Sequence, residues 1–151
     1  MKNLKMFCLS LEPSHYEFIK KLGYTPVGLG DKNFSNNWFT DKSSKNISNK
    51  NKYYGEYTFH YWLWKNYLDS NFNDPNSWIG FCQYRKFWST RNDKLLLNTI
   101  DEVEPLVLTE IPKSYDDYDV ILGDPFYIND FKIMKFLKHG FKLILKNPSY
   151  L

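Results

Sequence analysis

Residues 78–88 read Trp-Ile-Gly-Phe-Cys-Gln-Tyr-Arg-Lys-Phe-Trp. The first five are apolar or small, as in a strand that is covered on both faces. The stretch then turns polar and carries two adjacent cations, Arg85 and Lys86. Because side chains alternate along a strand, these two cations point to opposite faces. We therefore predict an interior strand over Ile79–Cys82 with a cationic carboxyl end.

The N-terminal part of the chain has a β-α-β pattern. The sequence KMFCL at Lys5–Leu9 predicts a strand, and YTPVGL at Tyr24–Leu29 predicts a second one. Between them, we expect a short helix that is capped by Ser14 and ends at Gly23. Such a unit favours two parallel strands joined by a right-handed crossover.

The middle of the chain combines a long polar stretch with an aromatic helix. Gly30–Ser48 is rich in Asn, Ser, Lys and Asp, and is either a binding loop or a flexible insertion. Asn49–Leu68 predicts one long helix, apolar nearly all round and therefore sandwiched within the fold. Glu56 and His60 lie one turn apart between its faces. One predicted stripe contains Tyr53, Tyr57, Tyr61, Trp64 and Leu68.

Two further elements are predicted near the C-terminus. Asp119–Leu122 predicts a strand, and Asn129–His139 a helix that ends at Gly140. Together the elements indicate one α/β domain over residues 1–151, a sandwich with a mostly parallel central sheet and helices on both faces.

Composition restricts the classes of function. The chain has 151 residues and a formal net charge of +3, which is too small to indicate a nucleic-acid partner. Cys8 and Cys82 each lie in an apolar run, so we expect buried free thiols in a reducing compartment. No apolar run has the length of a membrane span. These features predict a cytoplasmic protein.

Ligands of open α/β sheets bind beyond the carboxyl ends of the strands. At these ends the sequence places Ser10, then Gly28 and Gly30, and then Arg85 with Lys86. The glycines allow a ligand to approach the backbone, or they simply form a turn.

Arg85 has two readings from the residues alone. Its guanidinium either binds a phosphate or carboxylate ligand, or it pairs with a carboxylate such as Glu56. Glu56 and His60 have the spacing of an acid/base pair, but two residues do not make a metal site. Asp117-Tyr118-Asp119 has the form of a D-x-D motif, although it precedes its predicted strand.

An ordered set of motifs runs from about Gly30 to Leu122. It resembles a bacterial domain family of unknown function from capsular and exopolysaccharide biosynthesis loci, treated as glycosyltransferase-like. The matching stretches are Asn46-Ile47-Ser48, Lys50-Asn51, Glu56-Tyr57-Thr58, Tyr61-Trp62-Leu63-Trp64-Lys65-Asn66 and Ile79-Gly80-Phe81-Cys82-Gln83-Tyr84-Arg85-Lys86-Phe87. The sequence departs from the family pattern at Gln83, where the family has His, and at Lys86, where it has Arg. Members are longer, which leaves open whether this chain lacks a C-terminal part.

The resemblance implies a GT-A-like fold and a nucleotide-sugar donor. The residues in these motifs that the resemblance implies in donor binding are Asn46, Lys50, Asn51, Gln83, Arg85 and Lys86. Ser10, Gly28 and Gly30 are donor-binding candidates from their places at the strand ends. Those implied in catalysis are Glu56, Arg85 and Asp124. The cations Arg85 and Lys86 would neutralise the diphosphate without a metal ion, and Asp117, Asp119 or Asp124 would hold Mn²⁺ or Mg²⁺ in the alternative case.

The function that this resemblance implies is sugar transfer in surface polysaccharide biosynthesis. The acceptor would be a saccharide or a lipid-linked saccharide, and peripheral association with a membrane is compatible with it. A non-catalytic carbohydrate-binding or assembly module of the same pathway is the alternative. A nucleic-acid binder is a third reading, which the modest charge disfavours.

Overall fold

The computed structural model describes residues 3–74, 76–89, 99–124, 137–138, 140–142 and 145. Residues up to Asp119 form one compact unit, and residues from Val120 onward form a second. The assignment of residues 1–151 to a single domain stays a prediction. None of the helices in the described part of the chain has the length and apolar character needed to cross a membrane.

The first unit contains a four-stranded parallel sheet. Its strands are β1 (Asn3–Ser10), β2 (Thr25–Gly28), β3 (Phe39–Thr40) and β4 (Ser77–Gln83), in the order β3-β2-β1-β4. Every strand pair is parallel, which confirms the predicted α/β class with its parallel sheet. β1 and β2 are the interior strands. The interior position predicted for Ile79–Cys82 is wrong for the described sheet, because β4 pairs only with β1 and forms an end of it.

Five α-helices are described in the first unit: α1 (Tyr16–Lys21), α2 (Asn51–Tyr54), α3 (Tyr57–Asn66), α4 (Leu68–Asn71) and α5 (Ile100–Val103). Short 3₁₀ turns lie at Pro13–His15, Ser48–Lys50, Glu104–Leu106 and Lys113–Tyr115.

The sheet has an apolar core on each face. On one face, Ile19 and Leu22 from the α1 region pack with Cys8 and Cys82. The other core consists of Phe7, Leu9, Val27, Leu29, Phe59, Trp62 and Leu63, of which the last three come from α3. Helices therefore cover both faces, as the sequence predicts.

The β-α-β opening is confirmed in outline, while the start of its helix differs. α1 follows the turn Pro13–His15, and no side chain caps it, so the cap predicted at Ser14 is wrong. The predicted end at Gly23 is confirmed. Gly23 has a φ of 75°, its N–H donates to the Lys20 carbonyl, and the Tyr24 N–H donates to the Ile19 carbonyl. This is the Schellman arrangement, in which glycine takes the left-handed position easily.

The continuous helix predicted over Asn49–Leu68 is wrong, because the backbone breaks at Gly55. Gly55 has φ 55° and ψ −129°, a conformation that a residue with a side chain adopts only under strain. The break is held by hydrogen bonds to the Gly55 carbonyl from the side chains of Asn51 and Thr58, at 2.8 and 3.0 Å. α2 and α3 are therefore separate short helices.

The predicted sandwiching of this segment is also wrong. α3 buries Phe59, Trp62 and Leu63 against the sheet, whereas Tyr57 and Trp64 on its opposite side are 64% and 57% exposed. Tyr57 and Trp64 of the predicted stripe thus face away from the described sheet, whereas Leu68 packs against its core. A single buried face is enough to hold α3, because aromatic side chains bury large areas.

The second unit differs from its prediction at two points. Residues 119–122, which span both units, are not in a strand, and Val120 and Leu122 are exposed. Most of the predicted helix Asn129–His139 lies outside the described residues. Leu137 and Lys138 are helical, but so are residues 140–142, so the predicted end at Gly140 is wrong. Gly140 does not have a positive φ. A glycine with an ordinary helical φ weakens a helix but does not end it.

We predict that both thiols are protected in the native protein. Cys82 is 7% exposed and Cys8 is fully buried. Hydrogen bonding with Cys8, and then burial, raise the pKa of the Cys82 thiol above its ordinary range, so little reactive thiolate forms. A chromogenic disulfide reagent should detect no thiol in the native protein and two in urea, since the chain has two cysteines. Rapid reaction of Cys82 without unfolding would contradict the packing of β4 on β1.

Candidate functional site

The strand order creates a topological switch point between β1 and β4. From β1 the chain proceeds outward through β2 to β3, and then returns to place β4 on the other side of β1. Cys8 lies opposite Cys82, and Leu9 lies opposite Gln83, so the two strands end side by side. In open α/β sheets, the crevice at this point is where ligands bind.

A polar pair lies on the α1 side of this crevice. The Ser10 Oγ and the His15 Nδ1 are 2.8 Å apart, and the Ser10 Oγ also accepts a hydrogen bond from the Glu12 N–H at 3.0 Å. The His15 ring stacks on Tyr84, with centroids 4.4 Å apart. The structure thus places the predicted residue Ser10 beside a histidine that the sequence reasoning missed. The available signal was a polar residue at a strand end, followed within a few residues by a histidine.

A second polar pair lies on the α3 side. The Gln83 Nε2 donates a hydrogen bond to the Glu56 Oε2 at 2.5 Å. The partner of Glu56 is therefore an amide from the end of β4 and not Arg85, the partner that the sequence suggests. His60 follows one turn later, and its ring centroid is 4.3 Å from that of Phe81 on β4.

A tight turn carries the two cations out of the crevice. The Gln83 N–H donates to the Lys86 carbonyl at 3.2 Å, and the Lys86 N–H donates to the Gln83 carbonyl at 3.0 Å. Arg85 is exposed, and its guanidinium carbon lies 5.7 Å from the centroid of the Tyr84 ring. None of the ion pairs among the described residues includes Arg85, so its predicted alternative role as the partner of Glu56 is not observed. Lys86 is exposed as well.

The two predicted glycines lie in different surroundings. A Cβ at Gly28 would come within 2.4 Å of the Phe34 ring, so the close approach expected at this position is made by an aromatic side chain of the protein itself. Gly30 has a φ of 77°, and a Cβ added to it would have Leu11 and Asn51 as its neighbours within 4 Å. Gly30 and Asn51 are thus brought together near the end of β1.

Asn46 and Asn51 organise the backbone in this structure. The Asn46 side chain donates to the Ser44 carbonyl at 2.9 Å and accepts from the Ser48 hydroxyl at 2.8 Å. The Asn51 side chain holds the break at Gly55. Lys50 is exposed at the end of a 3₁₀ turn. The donor-binding roles of these three residues stay predictions.

The carboxylates considered for a metal are exposed. Asp117 and Asp119 lie near the end of the first unit, and Asp124 belongs to the second. Within the described residues, no three His, Cys, Asp or Glu side chains lie close enough together to hold a metal ion. Metal-independent donor binding stays a prediction.

Asp41 is an acidic residue that sequence reasoning missed. It directly follows β3, at the same carboxyl edge as the other strand ends, and it is 0% exposed. Neither of its carboxylate oxygens has a hydrogen-bond partner among the described residues. A buried carboxylate without partners destabilises a fold by several kcal/mol, which makes this residue a candidate for function. β3 has only two residues, too few to recognise from sequence.

Comparison with known proteins identifies a family but no individual relative. A family model described as a domain of unknown function (DUF4422) matches residues 10–143. None of the curated proteins and none of the solved structures matches the chain.

We predict that Asp41→Asn stabilises the protein. The change keeps the shape of the side chain but replaces a buried acidic group that has no partner by an amide, which is less costly to bury than a carboxylate, so the free energy of unfolding should rise by about 1 kcal/mol or more. Urea denaturation of wild type, Asp41→Asn and the exposed control Asp31→Asn would measure it. A loss of stability in Asp41→Asn alone would mean that the carboxylate is stabilised in the native state.

We predict that stability falls as the pH is lowered through the ordinary range of histidine. Burial lowers the pKa of His60 below 6.5, while Glu56 acts weakly in the opposite direction, and the buried Nε2 has no partner among the described residues. The unfolded chain therefore binds a proton near pH 6.5 that the folded protein resists, so unfolding becomes easier below that pH and not above it.

Denaturation curves between about pH 8 and pH 5 test this dependence. His60→Phe keeps a ring against Phe81 and removes the titration, so the slope of stability against pH should flatten. An unchanged slope in His60→Phe would assign the effect to other groups.

Proposed function

We propose that this chain, which belongs to the DUF4422 family of domains of unknown function, binds a nucleotide-sugar donor at the switch point between β1 and β4 and transfers its sugar during surface polysaccharide biosynthesis. The observation that carries the proposal is the exposed pair Arg85 and Lys86, directly beyond the end of a strand at that switch point. Phosphate groups are the anions that two adjacent exposed cations beside a crevice suit best.

The two cations would stabilise the diphosphate leaving group of the reaction. As a glycosidic bond to a diphosphate breaks, negative charge develops on the leaving group, and fixed cations stabilise that charge. Arg85 offers two parallel N–H donors, and Lys86 a compact charge. The backbone hydrogen bonds between Gln83 and Lys86 fix the positions from which the two side chains leave the chain.

Glu56 is our candidate for the group that accepts the acceptor's proton. Gln83 donates to one of its oxygens, which orients the carboxylate and leaves the other oxygen for a substrate hydroxyl. Asp124, which belongs to the second unit, is the other catalytic candidate. In this scheme Gln83 acts as a positioning residue, since its neutral amide does not serve as an acid or a base.

The alternative is a non-catalytic carbohydrate-binding or assembly module of the same pathway. One observation favours it: Gln83 occupies the position at which the resembled pattern has a histidine. If that histidine supplies acid/base catalysis in related chains, this chain binds ligand without turning it over.

We predict that nucleoside diphosphates bind in the presence of a chelator and that Arg85→Ala weakens this binding by about 1.5–3 kcal/mol, the range for a hydrogen bond to a charged group. Arg85→Lys should restore only part of the loss, because the planar fork is absent. Titration calorimetry with a panel of nucleoside diphosphates measures both effects. Lys113→Ala is a matched control, because Lys113 is an exposed cation in another segment.

Three outcomes would contradict the proposal in whole or in part. Binding that requires Mn²⁺ would transfer the diphosphate site to Asp117, Asp119 or Asp124. A folded sample that binds no nucleoside diphosphate under either condition would rule out the donor site in this chain. Donor binding without sugar transfer to any acceptor would favour the non-catalytic alternative.

A further inference from the structure

The outer side of α2 and α3 is an exposed aromatic surface. Tyr53 is 82% exposed, Tyr57 64% and Trp64 57%, and Tyr54 is exposed as well. Tyr57 and Trp64 share one side of α3, because residues seven apart lie two turns along the same stripe. The opposite side of α3 is buried against the sheet. This aromatic surface is therefore not part of either described core.

Two lysines lie beside these aromatic side chains. The Lys65 Nζ lies 3.1 Å from the centroid of the Trp64 ring, and the Lys52 Nζ lies 5.9 Å from that of Tyr53. Residues 42–68 contain five lysines and one glutamate, a net charge of +4, compared with +3 for the whole chain. The segment that bears the aromatic surface is thus positively charged.

The surface is held in place. The Trp62 indole N–H donates to the Ser43 carbonyl at 3.0 Å, and the Asn66 side chain exchanges hydrogen bonds with the backbone of Lys45. The lysine-bearing loop before α2 is therefore fastened to α3. A fixed surface presents its aromatic and cationic groups together, with little loss of freedom on binding.

We propose that this lysine–aromatic surface docks the protein on an anionic membrane. Tyrosine and tryptophan are the side chains that prefer the boundary between water and lipid, because each combines an apolar ring with a polar atom. Lysines beside them are attracted to acidic headgroups. All four exposed large side chains of the surface are Tyr or Trp, which is the composition of an interfacial belt.

Other partners fit the surface less well. Lysine is depleted at protein–protein interfaces, where Arg is preferred. Single-stranded nucleic acids bind in cationic grooves, whereas the outer side of a helix is convex. A neutral saccharide would account for the aromatic rings but not for the charge of +4 on residues 42–68.

The docking inference does not depend on the proposed sugar transfer. Glu56 directly precedes Tyr57, so docking would bring the Glu56–Gln83 pair close to the membrane surface. A substrate that is itself held at the membrane would then be presented to this pair. Vesicle binding and nucleoside diphosphate binding are measured separately, so either result can fail alone.

The test is flotation of the full chain with lipid vesicles. We expect binding to vesicles of phosphatidylcholine with phosphatidylglycerol, and about tenfold or more weaker binding to phosphatidylcholine alone or in high salt. Lys52→Glu with Lys65→Glu should weaken binding by about tenfold or more. The control Lys20→Glu with Lys113→Glu changes the net charge equally, and its lysines, exposed like Lys52, lie in other segments. It should bind as wild type does.

The aromatic contribution is tested in the same assay. Tyr57→Ser with Trp64→Ser should lose binding, whereas Tyr118→Ser, at a residue that is 58% exposed elsewhere, should not. In the wild type, a brominated lipid should quench tryptophan fluorescence, and Trp64→Phe should abolish most of that quenching. The quenching measurement uses only the wild type and Trp64→Phe, so it remains valid if the double variant Tyr57→Ser with Trp64→Ser does not fold.

Four results would overturn the inference. These are wild-type protein that does not float with anionic vesicles, lysine variants that bind as the wild type does, quenching that survives in Trp64→Phe, and an oligonucleotide that binds through the same residues while vesicles do not. The last result would make the surface a nucleic-acid site.

Discussion

β1 is hydrogen-bonded on both sides, and the rest of the first unit is arranged around it. Its residues Phe7 and Cys8 are fully buried and point to opposite faces, where each contributes to one of the two cores. Because β2 and β4 both pair parallel to β1, the carboxyl ends of all three strands meet at one edge. The order of the strands reverses only between β1 and β4, and this pairing therefore determines where a ligand crevice forms.

The left-handed glycine at position 55 has the next largest effect. By interrupting the helix, it places Glu56 at the start of α3 and beside the end of β4, where Gln83 reaches it. In a continuous helix, Glu56 would instead lie in the interior of the helix. The same break separates α2 from α3, whose outer aromatic residues are exposed to solvent. The backbone conformation of Gly55 thus shapes the candidate site.

The chemistry of the site depends on the choice of Gln at position 83. An amide donates a hydrogen bond to Glu56 at every accessible pH, whereas a histidine at that position would change its charge. The nearest imidazole groups in the described site are those of His15, which contacts Ser10 and Tyr84, and His60, whose pKa burial lowers. The site therefore holds its carboxylate by a neutral partner, and the exposed cations of the adjacent turn remain available to an anion.

Local sequence alone determined β1, β2 and β4, the parallel β-α-β opening and the helix end at Gly23, because alternation, apolar runs and glycine act within a few residues. It also indicated that Ser10, Arg85 and Lys86 lie at strand ends. It did not predict the break at Gly55 or the partnership of Glu56 with Gln83, since these depend on backbone geometry and on contacts between distant segments. Burial is likewise a tertiary property: periodicity marked the aromatic stripe of α3 as apolar, but only the packed sheet decided that Phe59 and Trp62 are inside while Tyr57 and Trp64 are outside. Asp41 shows the same division, because a carboxylate in a polar loop becomes notable only when the fold buries it without a partner.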